Sequence, residues 1–178
     1  MGIVATLRDW KGHEYLFEAI ALERKAWAGW NIVVVGDGPH RAKLDLRVAQ
    51  LGLGDKLRFV GQQQDVVPWF QAFDLFTLPS YGEEGVPQAI MQAMACAIAV
   101  VSTPVGAIRE AVDEGVTGVL VEPRSASALS AGLARLRDNP ELRARFSMAG
   151  RARAIECFGL DRMLDAMESV FQHVLKPA

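Results

Sequence analysis

The sequence predicts a doubly wound α/β fold, a Rossmann-like parallel sheet of about six strands with helices on both faces and further helices appended at the C-terminus. Short apolar runs alternate with longer stretches of helical period, which is the pattern of βαβ units. Several runs are continuously apolar, so both faces of those strands are expected to be buried. After residue 122 the pattern is helical only. Right-handed crossovers then place the strands in one parallel sheet.

Each apolar run and each helical stretch gives an expected element. The predicted strands are Ile3–Leu7, Ile32–Val35, Leu57–Val60, Leu75–Leu78, Ala99–Val101 and Gly118–Val121. The predicted helices between them are Glu14–Ala26, Arg41–Leu51, Val66–Ala72, Pro87–Ala97 and Ile108–Glu114. A further helix is expected to start at Asn139-Pro140-Glu141, because asparagine caps a helix and proline suits its first position. The last helix is expected to carry one apolar stripe, formed by Leu160, Met163, Leu164, Met167, Val170, Phe171 and Val174.

Composition and charge set broad limits on the class of protein. The 178 residues are 51% hydrophobic and 22% charged, and they contain no internal repeat or low-complexity linker, which suits one domain. A net charge of −2 gives no electrostatic reason to expect nucleic acid as a partner. No run approaches the ~20 apolar residues of a membrane span.

The same features lead us to expect a cytoplasmic protein. Arg8, Asp9 and Lys11 interrupt any apolar run of the kind that a signal peptide needs. Cys96 and Cys157 lie far apart without metal-ligand spacing, and they favour a reducing compartment over a disulfide.

Ligands of open α/β sheets bind at the carboxyl ends of the strands, so the segments after each strand are the candidate site. The first segment carries two fixed positive charges, Arg8 and Lys11, where a strand gives way to a helix. Cations there oppose the helix dipole unless an anion is the target, and phosphate is the natural candidate. The alternative is a solvated basic turn. An ordinary position on the solvent-exposed surface explains His13 at least as well as a ligand contact does.

The segment after the second strand is Gly36-Asp37-Gly38-Pro39. It begins like a dinucleotide-binding fingerprint, but Arg41 takes the place of the third glycine. The fingerprint also belongs to the first strand-to-helix turn rather than the second. Tight-turn geometry is therefore the better interpretation, and a nicotinamide cofactor is not expected.

The segment after the fourth strand is the most informative one. Pro87 prepares a helix start, and Gly85 allows a ligand to approach the backbone closely. Glu84 precedes that helix, where its carboxylate can accept hydrogen bonds from a polyol. Gln92 lies roughly 12 Å further along the helix axis and shares a face with Gln88. Two glutamines on one face also suit a solvated surface, and this alternative stays open.

The segment after the fifth strand offers hydroxyls and a glycine before another helix. Backbone amides near Thr103 and Gly106 can hold phosphate oxygens at that helix N-terminus. The alternative is simple helix capping by Thr103 or Ser102.

Several catalytic and metal-binding patterns do not occur. The chain has no Asp-x-Asp pair, no phosphate loop of the Gly-x4-Gly-Lys type and no Gly-x-Ser-x-Gly elbow. The histidines have no thiol or histidine partner at metal spacing. A complete catalytic apparatus is not visible, and neither a metal site nor a cofactor is expected.

Taken together, these segments resemble the C-terminal domain of the retaining, two-domain glycosyltransferases of family 4, which have the GT-B fold. The resemblance covers nearly the whole chain in eight ordered pieces. They are Arg8-x-x-Lys11-Gly12-His13, Gly36-Asp37-Gly38-Pro39, Phe59-Val60-Gly61, Leu78-Pro79-Ser80, Glu84-Gly85-Val86-Pro87, Ala93-Met94-Ala95, Val100-Val101-Ser102-Thr103 and Gly115-Val116-Thr117-Gly118.

The resemblance implies roles for individual residues. Lys11, with a nearby arginine that we take to be Arg8, is expected to bind the donor diphosphate, and Glu84 is expected to contact the donor sugar. Residue 92 is expected to hold the nucleotide ribose. The remaining residues expected to bind the nucleotide-sugar are Gly36, Gly61, Gly85, Val86, Pro87, Thr103 and Gly106.

This sequence departs from the family pattern at four places, which bear on donor affinity. Thr6 stands where members often carry an arginine, and Gln92 stands where they carry the second glutamate. The usual double glycine is Gly106-Ala107, and the Gly-x-Pro before the fifth strand is Ala97-Ile98-Ala99.

The implied activity is transfer of a sugar from a UDP- or GDP-sugar to an acceptor, with retention and without a metal, in cell-surface polysaccharide or lipopolysaccharide synthesis. The acceptor-binding N-terminal domain is expected to be missing from this chain, so that the domain alone is inactive. Any peripheral membrane association is expected to involve that missing domain. Two alternatives stay open, a sugar-nucleotide epimerase using Glu83, Glu84 or His13, and a non-catalytic nucleotide-binding module.

Overall fold

A computed structural model describes residues 1–82 and 84–175, and it confirms the predicted fold class. Six strands form one sheet in which every neighbouring pair is parallel. The order across the sheet is β3-β2-β1-β4-β5-β6. The strands are β1 (Gly2–Val4), β2 (Ile32–Val35), β3 (Leu57–Gly61), β4 (Leu75–Leu78), β5 (Ala99–Ser102) and β6 (Gly118–Leu120).

Eight α-helices are found in the described part of the chain. They are α1 (His13–Leu22), α2 (Arg41–Gln50), α3 (Val67–Gln71), α4 (Gln88–Ala95), α5 (Ile108–Ala111), α6 (Ala126–Arg137), α7 (Pro140–Phe158) and α8 (Leu160–Leu175). Helix α1 packs with α2 and α6, whereas α4 packs with α3 and α7. The sheet is thus covered on both faces, and strand residues such as Ile3, Leu75 and Val100 are fully buried. Each such side chain stabilises the fold by about 1.5–3 kcal/mol relative to exposure.

The first strand is shorter than predicted. It ends at Val4 rather than Leu7, because the chain turns back at Arg8, whose N–H donates to the Thr6 carbonyl at 2.8 Å. The Leu7 N–H still donates to the Asp37 carbonyl, at 3.0 Å, and the Leu7 side chain is fully buried. The apolar run therefore continues past the strand because a loop residue contributes to the core.

The five helices predicted between the strands all end later than the observed ones, two of them by three residues or more. Helix α1 ends at Leu22, and the remainder of the predicted span becomes a 3₁₀ turn, Arg24–Trp27, that buries Trp27. Helix α5 ends at Ala111, because Val112 has extended backbone angles. Pro87 immediately precedes α4 as its cap rather than being its first residue.

The C-terminal helices divide into two that pack on the domain and one that does not. The Asn139 side chain accepts a hydrogen bond from the Leu142 N–H at 2.9 Å, with Pro140 next, which confirms the predicted helix start. Helix α7 packs against α4 and β5, whereas all residues of α8 are exposed, including its predicted apolar stripe. None of the described helices has the length and apolar character that crossing a bilayer requires.

The loops after β1 and β4 are in direct contact. Gly12 has a positive φ of 74°, and a Cβ atom at that position would lie 1.9 Å from the Pro79 carbonyl oxygen. The Tyr81 N–H donates to the Trp10 carbonyl at 2.8 Å. Only glycine allows this approach, because any side chain would collide with backbone that cannot rotate away.

Replacing Gly12 by alanine should therefore destabilise the fold more than a positive φ alone does. We expect Gly12→Ala to lower the free energy of unfolding by about 3 kcal/mol, from backbone strain and overlap together. Gly29→Ala is the matched control, because Gly29 has a φ of 81° with no atom within 4 Å of a Cβ. It should cost about 1 kcal/mol. If urea unfolding gave the same loss of unfolding free energy for both variants, the close contact with Pro79 would not add to the cost of the Gly12 substitution.

Candidate functional site

The crevice between β1 and β4 is the point where the sheet changes winding direction. The chain leaves β1 toward β2 on one side, and it leaves β4 toward β5 on the other. The two following loops therefore separate above the sheet, and ligands of open α/β sheets bind at such a point. The loop after β1 carries Lys11, and the loop after β4 carries Glu84.

The structure brings Lys11 and Glu84 together. The Lys11 Nζ atom lies 2.6 Å from Glu84 Oε1, and both side chains are largely buried, with 19% and 9% of their surfaces exposed. The fully buried Ser80 donates its hydroxyl to the same Oε1 atom at 2.7 Å. Glu84 Oε1 thus accepts two hydrogen bonds, one from Lys11 in the loop after β1 and one from Ser80 in the loop after β4.

The loop after β5 supports the Glu84 loop from behind. The buried Thr103 donates its hydroxyl to the Ser80 carbonyl, and the Ala107 N–H donates to the Glu84 carbonyl at 2.9 Å. Gly106, with a φ of 53°, would place a Cβ 2.1 Å from that carbonyl oxygen. The structure thus engages the Thr103 hydroxyl within the protein and places Gly106 against the Glu84 backbone.

The capping alternative for that segment is wrong. The N-cap residue of α5 is Ala107, and no side-chain hydrogen bond caps this helix. The Ser102 hydroxyl donates instead to the Leu78 carbonyl at 2.6 Å, because Ser102 is the last residue of β5.

Two helices start at this crevice without side-chain caps. Helix α1 begins after Gly12, and α4 begins after Pro87. Their first backbone N–H groups have no acceptor within the helix, so these ends favour an anion. Gly85 is exposed and no atom lies within 4 Å of where its Cβ would be, while Val86 is half-buried beside it. The backbone before α4 is thus accessible to a ligand.

A cavity of about 270 Å³ lies at the carboxyl ends of β1, β2 and β3. Its lining includes Thr6, Gly36 and Gln63. Gly61 stands behind it, and its carbonyl accepts the Gly36 N–H at 2.8 Å. Gly36 and Gly61, predicted from separate motifs, are therefore neighbours on the same side of the crevice.

Two other predicted residues occupy separate surroundings. The Arg8 guanidinium lies over the ring of Trp10, 5.2 Å from its centroid, and Arg8 is exposed. Gln92 is exposed and lines a different cavity, of about 250 Å³, between α4 and α7, together with Gln88 and Phe158. Gln92 and Gly36 thus line different cavities.

His13 is not a surface residue, contrary to the interpretation favoured from the sequence. Its side chain is buried, with 1% exposed, and neither ring nitrogen has a hydrogen-bond partner. Burial, with a contribution from the charge of Lys11, lowers the pKa of His13 to about 4, so the imidazole is neutral at pH 7. Glu83, named with it for epimerase chemistry, lies outside the described residues.

Sequence reasoning missed an aromatic and cationic rim beside the site. The guanidinium of Arg124, which follows β6, lies 4.6 Å from the ring centroid of Tyr81. Desolvation and the nearby Asp9 raise the pKa of Tyr81 to about 12. Arg124 adopts a φ of 58°, unusual for a residue with a side chain. No local signal could have found this pair, because it joins loops of non-neighbouring strands.

Other parts of the described chain offer less for catalysis. A cavity of about 400 Å³ opens at the amino ends of β1, β2 and β4, lined by residues that include Asn31, Trp69 and Arg143. Among residues 1–82 and 84–175, no three His, Cys, Asp or Glu side chains cluster so as to hold a metal ion.

Comparisons with known proteins agree with this geometry. The family model of glycosyl transferases group 1 matches residues 1–153. The lipopolysaccharide core biosynthesis mannosyltransferase LpsB of Rhizobium meliloti is 31% identical over 184 residues, covering 99% of this chain and 52% of the relative. A D-inositol 3-phosphate glycosyltransferase of Streptomyces avermitilis is 34% identical over 173 residues, covering 90% of this chain and 37% of the relative.

Solved structures share the fold. A glycosyltransferase from Rickettsia africae superimposes with a TM-score of 0.91 at 23% identity, covering 99% of this chain and 48% of that one. The isolated C-terminal domain of the Francisella tularensis group 1 protein LpcC gives a TM-score of 0.79 at 28% identity. That match covers 89% of this chain and 86% of the LpcC domain. The chain thus spans about half the length of LpsB and of the Rickettsia protein. With its switch-point site and a family match over residues 1–153, the chain belongs to the glycosyl transferases group 1 family.

Proposed function

We propose that this chain is the donor-binding half of a retaining glycosyltransferase, which moves a sugar from a UDP- or GDP-sugar to an acceptor. The observation that carries the proposal is the meeting of Lys11 and Glu84 at the crevice where two uncapped helices begin. A cation and helix N-termini suit a diphosphate, while a carboxylate beside them suits sugar hydroxyls.

The diphosphate is the group on which negative charge develops as the sugar departs. The N-terminal amides of α1 and α4 are fixed before the ligand arrives, so they stabilise that charge without reorganisation of solvent. Lys11 adds a positive charge beside them. Because Gly85 is exposed and has no side chain, a ligand can approach the protein backbone at Val86 and the start of α4. Retention of configuration and departure of the diphosphate without a metal are implied by the family resemblance.

The other parts of the donor have matching surfaces. Glu84 can accept hydrogen bonds from the sugar hydroxyls through a carboxylate whose orientation Ser80 fixes. The cavity beside Gly36 and Thr6 is a place for the base. The family resemblance assigns the ribose to Gln92, which is exposed on α4 and lines a separate cavity.

Related proteins support a nucleotide-sugar and a surface glycan. The fold neighbour HepE of Anabaena has been crystallised in complex with UDP and glucose, at 24% identity to this chain. LpsB is named for lipopolysaccharide core biosynthesis, and VipC/TviE of Salmonella typhi, 39% identical over 90 residues, for Vi polysaccharide biosynthesis. We therefore propose a cytoplasmic role in cell-surface polysaccharide or lipopolysaccharide synthesis. Family membership favours transfer over epimerisation, and buried, neutral His13 is a poor acid or base.

The exposed stripe of α8 supports a second, acceptor-binding domain as the partner. Each of the apolar side chains on α8 is between 47% and 77% exposed, although apolar helix faces are normally buried. The opposite face holds Asp161, Arg162, Asp165 and Glu168, which is more acidic than basic and so disfavours anionic membranes. LpsB and HepE are about twice as long as this chain, so another half of the protein is the occupant that we propose.

The diphosphate assignment predicts a selective effect of removing Lys11. Lys11→Ala should weaken binding of UDP or GDP by about ten- to a hundredfold, because a charge-assisted contact is worth roughly 1.5–3 kcal/mol. Uridine or guanosine binding should hardly change. Isothermal titration of the isolated chain measures both, and Lys25→Ala, an exposed lysine in the 3₁₀ turn after α1, is the control. Equal losses for nucleotide and nucleoside would indicate a structural role for Lys11.

The ribose assignment predicts a gain from restoring a carboxylate. Gln92→Glu should tighten nucleotide binding by about 1 kcal/mol, because an ionised acceptor bonds hydroxyls more strongly than an amide does. A 2′,3′-dideoxy nucleotide should show no gain, since it lacks the diol. Gln71→Glu, an exposed glutamine at the end of α3, makes the same charge change away from the crevice and is the matched control. Weaker binding of the nucleotide would place residue 92 too near the diphosphate, and no effect would make Gln92 a solvated helix residue.

The partner assignment predicts that the α8 stripe matters only in a longer protein. Leu164→Asp with Phe171→Asp should leave the urea unfolding free energy of the isolated chain within about 0.5 kcal/mol, because both side chains are exposed. The same pair should abolish sugar transfer by a two-domain protein that carries this domain. Asp165→Asn with Gln172→Asp, on the polar face, is the control. Loss of self-association or of vesicle binding in the isolated chain would assign the stripe to those partners instead.

A further inference from the structure

Lys11 and Glu84, which the proposed function assigns to different parts of the donor, bond to one another in the structure. The 2.6 Å separation is that of a charge-assisted hydrogen bond, and both groups are largely shielded from water. Lys11 has other donor hydrogens, but its Nζ cannot approach a diphosphate without lengthening or sharing this bond. Any ligand with a diphosphate therefore competes with Glu84 for Lys11.

The cost of that competition depends on the ligand. A nucleoside diphosphate brings negative charge close to a carboxylate and takes its cationic partner, while it lacks the sugar hydroxyls that could donate to Glu84 in return. Leaving a shielded charge without its partner is unfavourable. A nucleotide-sugar brings hydroxyl groups that can donate to Glu84, so the lost bond to Lys11 is replaced. The same carboxylate then opposes the product nucleotide and favours the donor.

Ser80 determines whether the carboxylate stays in place during this exchange. Its hydroxyl donates to Glu84 Oε1 at 2.7 Å, and its own carbonyl is held by Thr103. Gly106 and Ala107 fix the Glu84 backbone independently. When Lys11 turns to the diphosphate, Ser80 remains as a partner that does not depend on ligand.

We propose that the Lys11–Glu84 ion pair, positioned by Ser80, makes the site select a nucleotide-sugar over its nucleoside diphosphate, and so favours release of the product after transfer. This inference rests on the proposed function and assigns Ser80 as a positioning residue. The selecting element is the competition for Lys11, in addition to any contact between Glu84 and the sugar.

The test compares affinities for UDP with UDP-glucose, and for GDP with GDP-mannose, by isothermal titration of the isolated chain. Glu84→Gln should tighten binding of the preferred nucleoside diphosphate by roughly three- to tenfold, because repulsion falls and Lys11 is released. It should weaken binding of the corresponding nucleotide-sugar by a similar factor. Glu110→Gln, an exposed carboxylate on α5, makes the same charge change and should alter neither.

Ser80 supplies the second readout. Ser80→Ala should weaken binding of the nucleotide-sugar by roughly threefold to tenfold, because the sugar hydroxyls bond to the carboxylate that Ser80 orients. Binding of the nucleoside diphosphate, which has no such sugar, should hardly change. Ser80→Thr, which keeps the hydroxyl, should restore sugar binding. If substitution of this buried residue prevents folding, Glu84→Gln alone decides the matter.

The outcomes separate this inference from the proposed function. Should the unmodified chain bind none of the four ligands, the donor-binding assignment itself fails. A second outcome is that the chain binds a nucleoside diphosphate through Lys11 while Glu84→Gln weakens that binding or leaves it unchanged. That result overturns the proposed competition between Glu84 and the diphosphate for Lys11 and leaves the donor-binding assignment standing. Tighter nucleotide binding with weaker sugar binding in Glu84→Gln supports both.

Discussion

The close contact between the loops after β1 and β4 is the constraint on which the site depends. Gly12 lies against the Pro79 carbonyl, and Trp10 and Tyr81 share a backbone hydrogen bond. This contact fixes the start of α1 beside the loop that leads to α4. Lys11 and Glu84 come from positions 73 residues apart, and only this contact brings them within bonding distance. The chemistry proposed for the crevice thus follows from a backbone approach that a single methyl group would prevent.

The strand order explains why that contact lies at a ligand site. Strands β1 and β4 are neighbours, yet the chain leaves them in opposite directions, so their loops part above the sheet. Two uncapped helices begin in the gap, and the carboxylate-bearing loop is supported from behind by Thr103 and Gly106. Two helix N-termini therefore lie beside a carboxylate that accepts hydrogen bonds, and this is the combination on which the proposed binding of a sugar diphosphate depends.

The sequence predicted the sheet well because strand burial has a local signature. The runs Ile32–Val35 and Leu75–Leu78 match the observed strands to the residue. Errors arose where tertiary contacts override local pattern. Buried Leu7 extended the first apolar run into a loop, and Trp27 anchors a 3₁₀ turn where a continuous helix was expected.

Motif positions in the sequence indicated Lys11, Glu84, Gly36 and Gly61 as candidates. The hydrogen bonds that join Lys11 to Glu84 and Gly36 to Gly61 depend on which strands are neighbours, and no local pattern reveals that. His13 was misjudged for the same reason, because a polar residue at the start of a helix gives no sign that tertiary packing buries it.

The central claim is that a nucleoside diphosphate binds at the carboxyl ends of β1 and β4. Backbone amide NMR of the isotope-labelled chain, titrated with UDP or GDP, tests this claim most directly. The account predicts that the largest chemical-shift changes fall on the amides of Lys11, Val86 and Gln88, with smaller changes at Gly36. Changes concentrated on Asn31, Trp69 and Arg143, around the cavity at the amino ends of β1, β2 and β4, would contradict it.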